Sequence, residues 1–333
     1  MKELIFKQHD QILYLEPVTS NVERIRTYLK DNLKDFSLYT GDESLVLNFK
    51  KGDYLNLNEF LGFSFDEDEI KLRKKLLDLL KLFKNMFKEL FFIETIEAKK
   101  ISEVETYSLI LLDDELVSYE VVTLTLEDNH ITFRFDNLYE IIYNLLLYRK
   151  GNQVAFDSSY EKIALSLIQK NKNNVLQHAK QVKETLSNYN VAIFDSDNYL
   201  EFEEFALKNH IPLVIEIGPS NVRKNELTLI SKFGKKQINK DNLIEEVELI
   251  KKQINEDYYK QSFKNVLAYQ KKCLKLEDLE KGNRFCSCLS PDCLKEVQNK
   301  NQSKTFYHTF SNVRFSKKCL VCGKEARDII FSR

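Results

Sequence analysis

The sequence is poor in the residues from which several common sites are built. Its 333 residues include 8 Gly, 4 Pro and 5 His. So few glycines leave no glycine-rich loop to cradle a phosphate. The scarcity of Pro and Gly also leaves no low-complexity linker, and no internal repeat is present. The histidines, His9, His130, His178, His210 and His308, show no metal-ligand spacing. No stretch approaches the ~20 apolar residues that span a bilayer. The opening segment, Met1 to Lys7, has neither an apolar core nor a small-residue cleavage site, so no signal peptide is expected. A cytoplasmic location without membrane association follows. Asp113-Asp114-Glu115 reads as a turn rather than a magnesium site.

What is present is enough apolar sequence for packed cores: 43% hydrophobic and 30% charged residues. The length allows two to three domains at ~100–200 residues each. The net charge of −1 hides an asymmetry. Residues 1–150 carry 20 Lys/Arg against 28 Asp/Glu, and residues 151–333 carry 30 against 23. A basic second half suits a polyanion there; solvated charged faces on both halves account for the counts equally well.

Periodicity gives the organisation. Leu72, Leu76, Leu79, Leu80, Phe83, Met86, Phe87 and Leu90 recur at helical spacing and predict a helix over 68–92. Strands are expected at 117–126 and 131–135 around a turn at 127–129, then a helix over 137–148. The stretch Lys150-Gly151-Asn152 marks a boundary. Beyond it, strands at 163–168, 191–194, 212–218 and 227–231 alternate with helices at 175–189, near 201–208 and at 241–258, the last with Asp241 as N-cap. Such alternation predicts a mainly parallel sheet.

Five of the six cysteines fall in the last 50 residues. Cys288-x4-Cys293 and Cys319-x2-Cys322-Gly323 form two knuckles, and four thiolates close a tetrahedral site around zinc. The segment holds too little apolar sequence to fold securely alone, so a structural zinc would supply stability. A closed site of four thiolates leaves no open position for catalysis. Disulfides or free thiols are the other readings, and the lack of a secretory signal argues against the former. Cys286 could replace Cys288 in its pair. His308 lies between the knuckles and reads as a surface residue.

Ile211-Pro-Leu-Val-Ile-Glu-Ile-Gly-Pro219, with Val191-Ala-Ile-Phe-Asp195 before it and a helix after Lys240, resembles the anticodon-binding domain of prolyl-tRNA synthetases. The C-terminal Cys-x4-Cys…Cys-x2-Cys-Gly-Lys-x-Ala, ending at Ala326, resembles the zinc-binding appendix of their eukaryotic and archaeal-type members. The resemblance implies an α/β chain in three parts. These are a degenerate class II synthetase domain with an antiparallel sheet (1–150), an anticodon-binding-like α/β domain with a mixed sheet (151–265) and a zinc-binding domain (266–333). It also implies that Glu216 and Arg223 face anticodon bases, with Lys232 and Lys236 beside them, in a stretch (220–240) with six basic side chains and one acidic. A carboxylate suits the Watson–Crick donors of guanine, and cations suit acceptors or phosphate. An ordinary strand-end glutamate among solvated lysines is the plainer reading.

The front part resembles the family more faintly and departs where chemistry is needed. Leu15-Glu16-Pro17-Val18-Thr19-Ser20 stands where the family has Leu-Arg-Pro-Thr-Ser-Glu for proline. Asn58-Glu59-Phe60-Leu61 is similar to the tail of motif 2, but Phe63-Ser64-Phe65-Asp66 then replaces Gln-Glu-Gly-His. Phe49-Lys50 stands near the motif 2 arginine, and Lys50 lacks its bidentate fork. Glu140 stands where the motif 3 arginine belongs. At ~4 Å and an effective dielectric near 20, that sign reversal swings the interaction with phosphate by about 8 kcal/mol. The family's motif 1 and its terminal tyrosine have no counterpart.

The expectation is therefore a pseudoenzyme: a non-catalytic prolyl-tRNA synthetase paralogue that binds RNA, with tRNA favoured over DNA, and acts as an accessory or regulatory protein, with a protein partner or synthetase complex plausible by analogy. Two alternatives stand beside it. One is a divergent proline–tRNA ligase; the other is a structural subunit of a larger complex that does not bind RNA.

Overall fold

In the computed structural model the most regular apolar pattern gives the longest front helix, over Glu69–Phe91. Leu72, Leu76, Leu79, Leu80, Phe83, Met86 and Phe87 along it are all buried. The structure describes residues 15–33, 38–39, 59–64, 69–113, 115–127, 130–135, 155–159, 162–172, 174–194, 201, 206, 210–310 and 315–333.

Along the chain run α1 (Leu15–Asn32), β1 (Leu38–Tyr39), β2 (Glu59–Ser64), α2 (Glu69–Phe91), β3 (Ile96–Lys100), β4 (Glu105–Leu112), β5 (Ser118–Glu127) and β6 (His130–Phe135). Then come β7 (Ile163–Leu167), α3 (Val175–Thr185), β8 (Val191–Phe194), β9 (Leu213–Ile217), α4 (Pro219–Lys224), β10 (Glu226–Ser231), β11 (Gly234–Asn239) and α5 (Leu243–Tyr269). The last elements are β12 (Phe285–Ser287), α6 (Pro291–Asn301), β13 (Phe306–Thr309) and β14 (Asp328–Ser332). Short 3-10 turns lie at Phe156–Ser158, Lys240–Asn242 and Leu276–Asp278.

The chain divides into two compact units, and neither coincides with the three domains expected. One comprises Met1–Ile25, Leu90–Phe92 and Ile142–Tyr259; the other comprises Arg26–Glu89, Ile93–Ile141 and Lys260–Arg333. The cysteine-bearing segment therefore shares a unit with front-region strands. The physical reason is strand pairing: β13 pairs with β3, with Tyr307 opposite Lys100 and Thr309 opposite Ala98. One sheet results, nine strands in the order β1-β2-β6-β5-β4-β3-β13-β14-β12. All its ladders are antiparallel. On one face Phe83 of α2 meets Phe133 and Phe135 at ring distances of 4.8 and 5.5 Å. On the other, Tyr269 packs with Ile96, Ala98, Ile110, Tyr307 and Phe331.

The first unit holds a five-stranded sheet in the order β11-β10-β9-β7-β8. It is mixed rather than mainly parallel: β7 pairs parallel with β8 and β9, while β9–β10 and β10–β11 are antiparallel. The tight Ser231-to-Gly234 hairpin makes β10 and β11 antiparallel, since a two-residue connection joins only antiparallel strands. Leu165, Ile215, Leu229 and Ile238 form a core with Val175, Ala179 and Val182 of α3 and Val247, Ile250 and Ile254 of α5.

Helix α5 runs to Tyr269, past the expected 258, and Asp241 is not its cap. Asn239 accepts a hydrogen bond from the Asp241 N–H at 2.9 Å, so a 3-10 turn precedes the helix proper. Helix α3 ends at Thr185 rather than 189. Asp113 Oδ1 accepts from the N–H groups of Glu115 and Val117 at 2.9 and 2.8 Å, the turn expected there. The expected helix over 137–148 with Glu140, the Phe49-Lys50 pair and nearly all of the 201–208 helix lie outside the described residues, as do the side chains of Val18 and Ser20. Among the described residues no helix is long and apolar enough to cross a membrane.

Candidate metal centre and polar sheet face

The first knuckle is built at a strand-to-helix junction. Cys286 lies inside β12 and is buried with Ala326 and Ile329. Cys288 stands just beyond the strand, and Leu289, at φ 62, turns the chain back. Ser290 caps α6, its side chain accepting from the Cys293 N–H at 3.4 Å, and Pro291 opens the helix. Pro suits that position because a first-turn N–H has no helical partner. The second knuckle closes through Gly323, whose N–H reaches the Cys319 carbonyl at 3.0 Å with φ at +69°. Nothing lies within 4 Å of a Cβ added there, so backbone conformation alone favours glycine.

The junctions bring Cys288, Cys293, Cys319 and Cys322 together with all four sulfurs within 4.8 Å of one another. Cys288 Sγ lies 3.6 Å from Cys293 Sγ and 3.7 Å from Cys322 Sγ. Tetrahedral zinc with Zn–S bonds of ~2.3 Å sets sulfurs about 3.8 Å apart. None of the six cysteines is in a disulfide. The Ser290 hydroxyl and backbone beside Cys288 hold its thiol down at about 6, whereas burial pushes Cys293 up to about 12. Four thiolates this close repel one another without a cation, and the set can hold a metal ion. The choice left open between Cys286 and Cys288 falls to Cys288. Cys286 is committed to packing with Ala326 and Ile329, whereas Cys288 stands beyond the strand end. His308 is outside the cluster and pairs with Asp328.

The predicted RNA-facing residues fall into different places. Register sets Phe194, Ser166, Glu216, Thr228 and Gln237 side by side across all five strands. Asn221 of α4 reaches this row, its Nδ2 donating to Thr228 Oγ1 at 3.3 Å and its Oδ1 accepting from the Gly218 N–H at 3.0 Å. The Glu216 side chain is 19% exposed, and Lys235 Nζ lies 4.0 Å from it. Arg223 is exposed on α4.

Lys236 is not beside Glu216. It pairs in register with Leu229, a residue of the core face, and its Nζ meets Glu246 of α5 at 2.5 Å. The two-residue alternation of a strand sends Lys235 to the Glu216 face and Lys236 to the opposite one. Lys232 sits in the hairpin turn and pairs with Asp257. Lys235, which the sequence reading did not single out, shares the Glu216 face because the hairpin sets Ser231 opposite Gly234 and Thr228 opposite Gln237, a register that shifts the alternation by one. Ser166 and Thr228, polar residues within apolar strands, carried a signal of this face in the sequence.

No protein-family model matches the chain, and no curated protein matches it.

Proposed function

We propose that the chain binds RNA, tRNA in particular, through its five-stranded sheet, and serves as a non-catalytic accessory protein of the prolyl-tRNA synthetase type. The observation that carries this reading is the polar row Ser166–Glu216–Thr228–Gln237 with Asn221 and Lys235 at its side. A carboxylate flanked by hydroxyls, an amide and an ammonium offers acceptors and donors to the edges of unpaired bases. Rigid strands hold those groups in place, which sequence-selective contact requires. Arg223 on the neighbouring helix supplies a cation for phosphate or a base acceptor.

The four-thiolate cluster holds zinc in this reading, because soft sulfur donors in a closed tetrahedral set suit that ion. Its role is structural. Ligation of proline to tRNA is left out of the proposal because Val18, Ser20 and Glu140 occupy positions where the resembled enzymes hold substrate.

Filter binding of tRNA-Pro against other tRNAs tests the reading. Wild-type chain is expected to retain tRNA, and Glu216→Ala with Arg223→Ala to weaken it about 10-fold or more. Unchanged affinity in that double variant rejects the assignment of the sheet face.

A further inference from the structure

The β10–β11 hairpin turns through Lys232 and Phe233, and Phe233 is 52% exposed. Solvent-facing turns are normally made of small or polar residues. The backbone of the turn is well ordered by local bonds and by a glycine. Ser231 Oγ accepts from the Phe233 N–H at 3.2 Å. Gly234 follows with φ at +109°, the positive-φ residue that closes a hairpin turn of this kind. Nothing lies within 4 Å of a Cβ added to Gly234, so that side of the tip is open.

One cation lies over the ring, and the hairpin carries more. Between Ser231 and Lys240 there are four lysines and no acidic side chain. Lys232 Nζ lies 5.3 Å from the Phe233 ring centroid. Lys235 is 59% exposed at its side chain. Lys232 and Lys236 do pair with Asp257 and Glu246. Such exposed pairs are weak and exchange readily for a phosphate.

A single aromatic ring on a stiff turn, flanked by ammonium groups and without apolar neighbours in the turn, is poorly suited to an apolar protein groove. It suits an unpaired base, which offers a π-face for stacking and phosphates on either side. A duplex hides its base faces, so single strands and loops are the matching targets. We propose that Phe233 stacks on an unpaired base of bound RNA while Lys232 and Lys235 hold the adjoining phosphates. This extends, and rests on, the RNA-binding reading of the neighbouring sheet face.

The chain contains no tryptophan, so Phe233→Trp introduces a single tryptophan at the tip, which can be excited selectively over the tyrosines. Its emission is to be titrated with a tRNA transcript, a mixed-sequence 12-nucleotide single-stranded RNA, and that RNA annealed to its complement. Saturable quenching by the single strand, with at least 10-fold weaker response to the duplex, is the expected result. In filter binding of the full chain, Phe233→Ala should weaken single-strand affinity about 5- to 100-fold. Its salt slope should stay unchanged because no phosphate contact is lost, whereas Lys235→Ala should flatten that slope by about 0.7. Equal affinity of Phe233→Ala and wild type overturns the stacking role and leaves RNA binding standing. An equal loss for duplex and single strand overturns it too. Failure of the wild-type chain to bind any of the three RNAs removes both readings at once.

Discussion

The guanidinium of Arg333 lies 3.3 Å from the carboxylate of Glu120, joining residues 213 apart in sequence. Glu120 Oε2 also accepts from Tyr307 at 2.9 Å, and Oε1 from Ser108 and Thr123 at 2.5 and 3.3 Å. The carboxylate sits where the β4–β5 register shifts, opposite Ile110. Burial, then Glu120, pushes the Tyr307 phenol above its ordinary range. Hydrogen bonds to charged groups are worth about 1.5–3 kcal/mol. Tyr307→Phe should therefore lower unfolding free energy by about that amount. Urea denaturation with an unchanged m-value is the check.

The sulfur cluster predicts one bound zinc per chain. Cys319→Ser or Cys293→Ser should abolish it in elemental analysis of the purified chain, while Cys286→Ala should keep it. Metal-chelator treatment should lower the thermal midpoint, since structural zinc carries apparent binding energies on the order of 10–16 kcal/mol. Full zinc content in Cys319→Ser, or none in Cys286→Ala, would count against the ligand assignment.

Gly282 is a steric keystone. A Cβ there would lie 2.2–2.3 Å from ring atoms of Tyr269, and the residue adopts φ at +83°. Its N–H also donates to the Ser332 carbonyl at 2.8 Å. Gly282→Ala should cost about 2–4 kcal/mol, combining overpacking with a strained backbone. Calorimetry would read this as a drop in melting temperature. An unchanged midpoint would mean that the Tyr269 ring moves freely.

Lys162 donates to the carbonyls of Asp157 and Ser159. Burial first, and then the neighbouring Arg24, lower its ammonium to about 7, with Asp157 opposing and Lys251 adding to the shift. Between about 7 and the ordinary 10.5 the unfolded chain therefore holds a proton that the native chain has released. Stability from this group rises with pH across that window, and its penalty is full below it. Lys162→Met should flatten the rise, measured as the difference between the two proteins' unfolding free energies from pH 7 to 10. A parallel pair of profiles would refute the buried-lysine account.

Legibility in the sequence tracked how local each signal was. The apolar spacing from Leu72 to Phe87 and the run Leu213–Ile217 state their own structure, because burial on one face leaves a period and burial on both leaves a short apolar run. The cysteine spacing was equally local and picked out the four thiols that cluster and could hold a metal ion, with one ambiguity that strand packing of Cys286 resolves. The pairing of β13 with β3 left no such trace. Tyr307 and Lys100 are 207 residues apart, and neither segment says which strand it will meet. Lys236 falls away from Glu216 for another reason: the resemblance grouped it with Glu216, while the two-residue strand period divides the hairpin lysines between faces.

That late pairing also sets an order of assembly. All strands of the five-stranded sheet lie between residues 163 and 239, so its hydrogen bonding can be complete while the rest of the chain is still being synthesised. The nine-stranded sheet cannot close until Ser332 has emerged from the ribosome, because β14 pairs with both β12 and β13. Until β13 has emerged, β3 has a bare edge of unpaired backbone groups, open to pairing with another nascent chain. The half made first is the half that must wait, and chaperone dependence during translation should concentrate there.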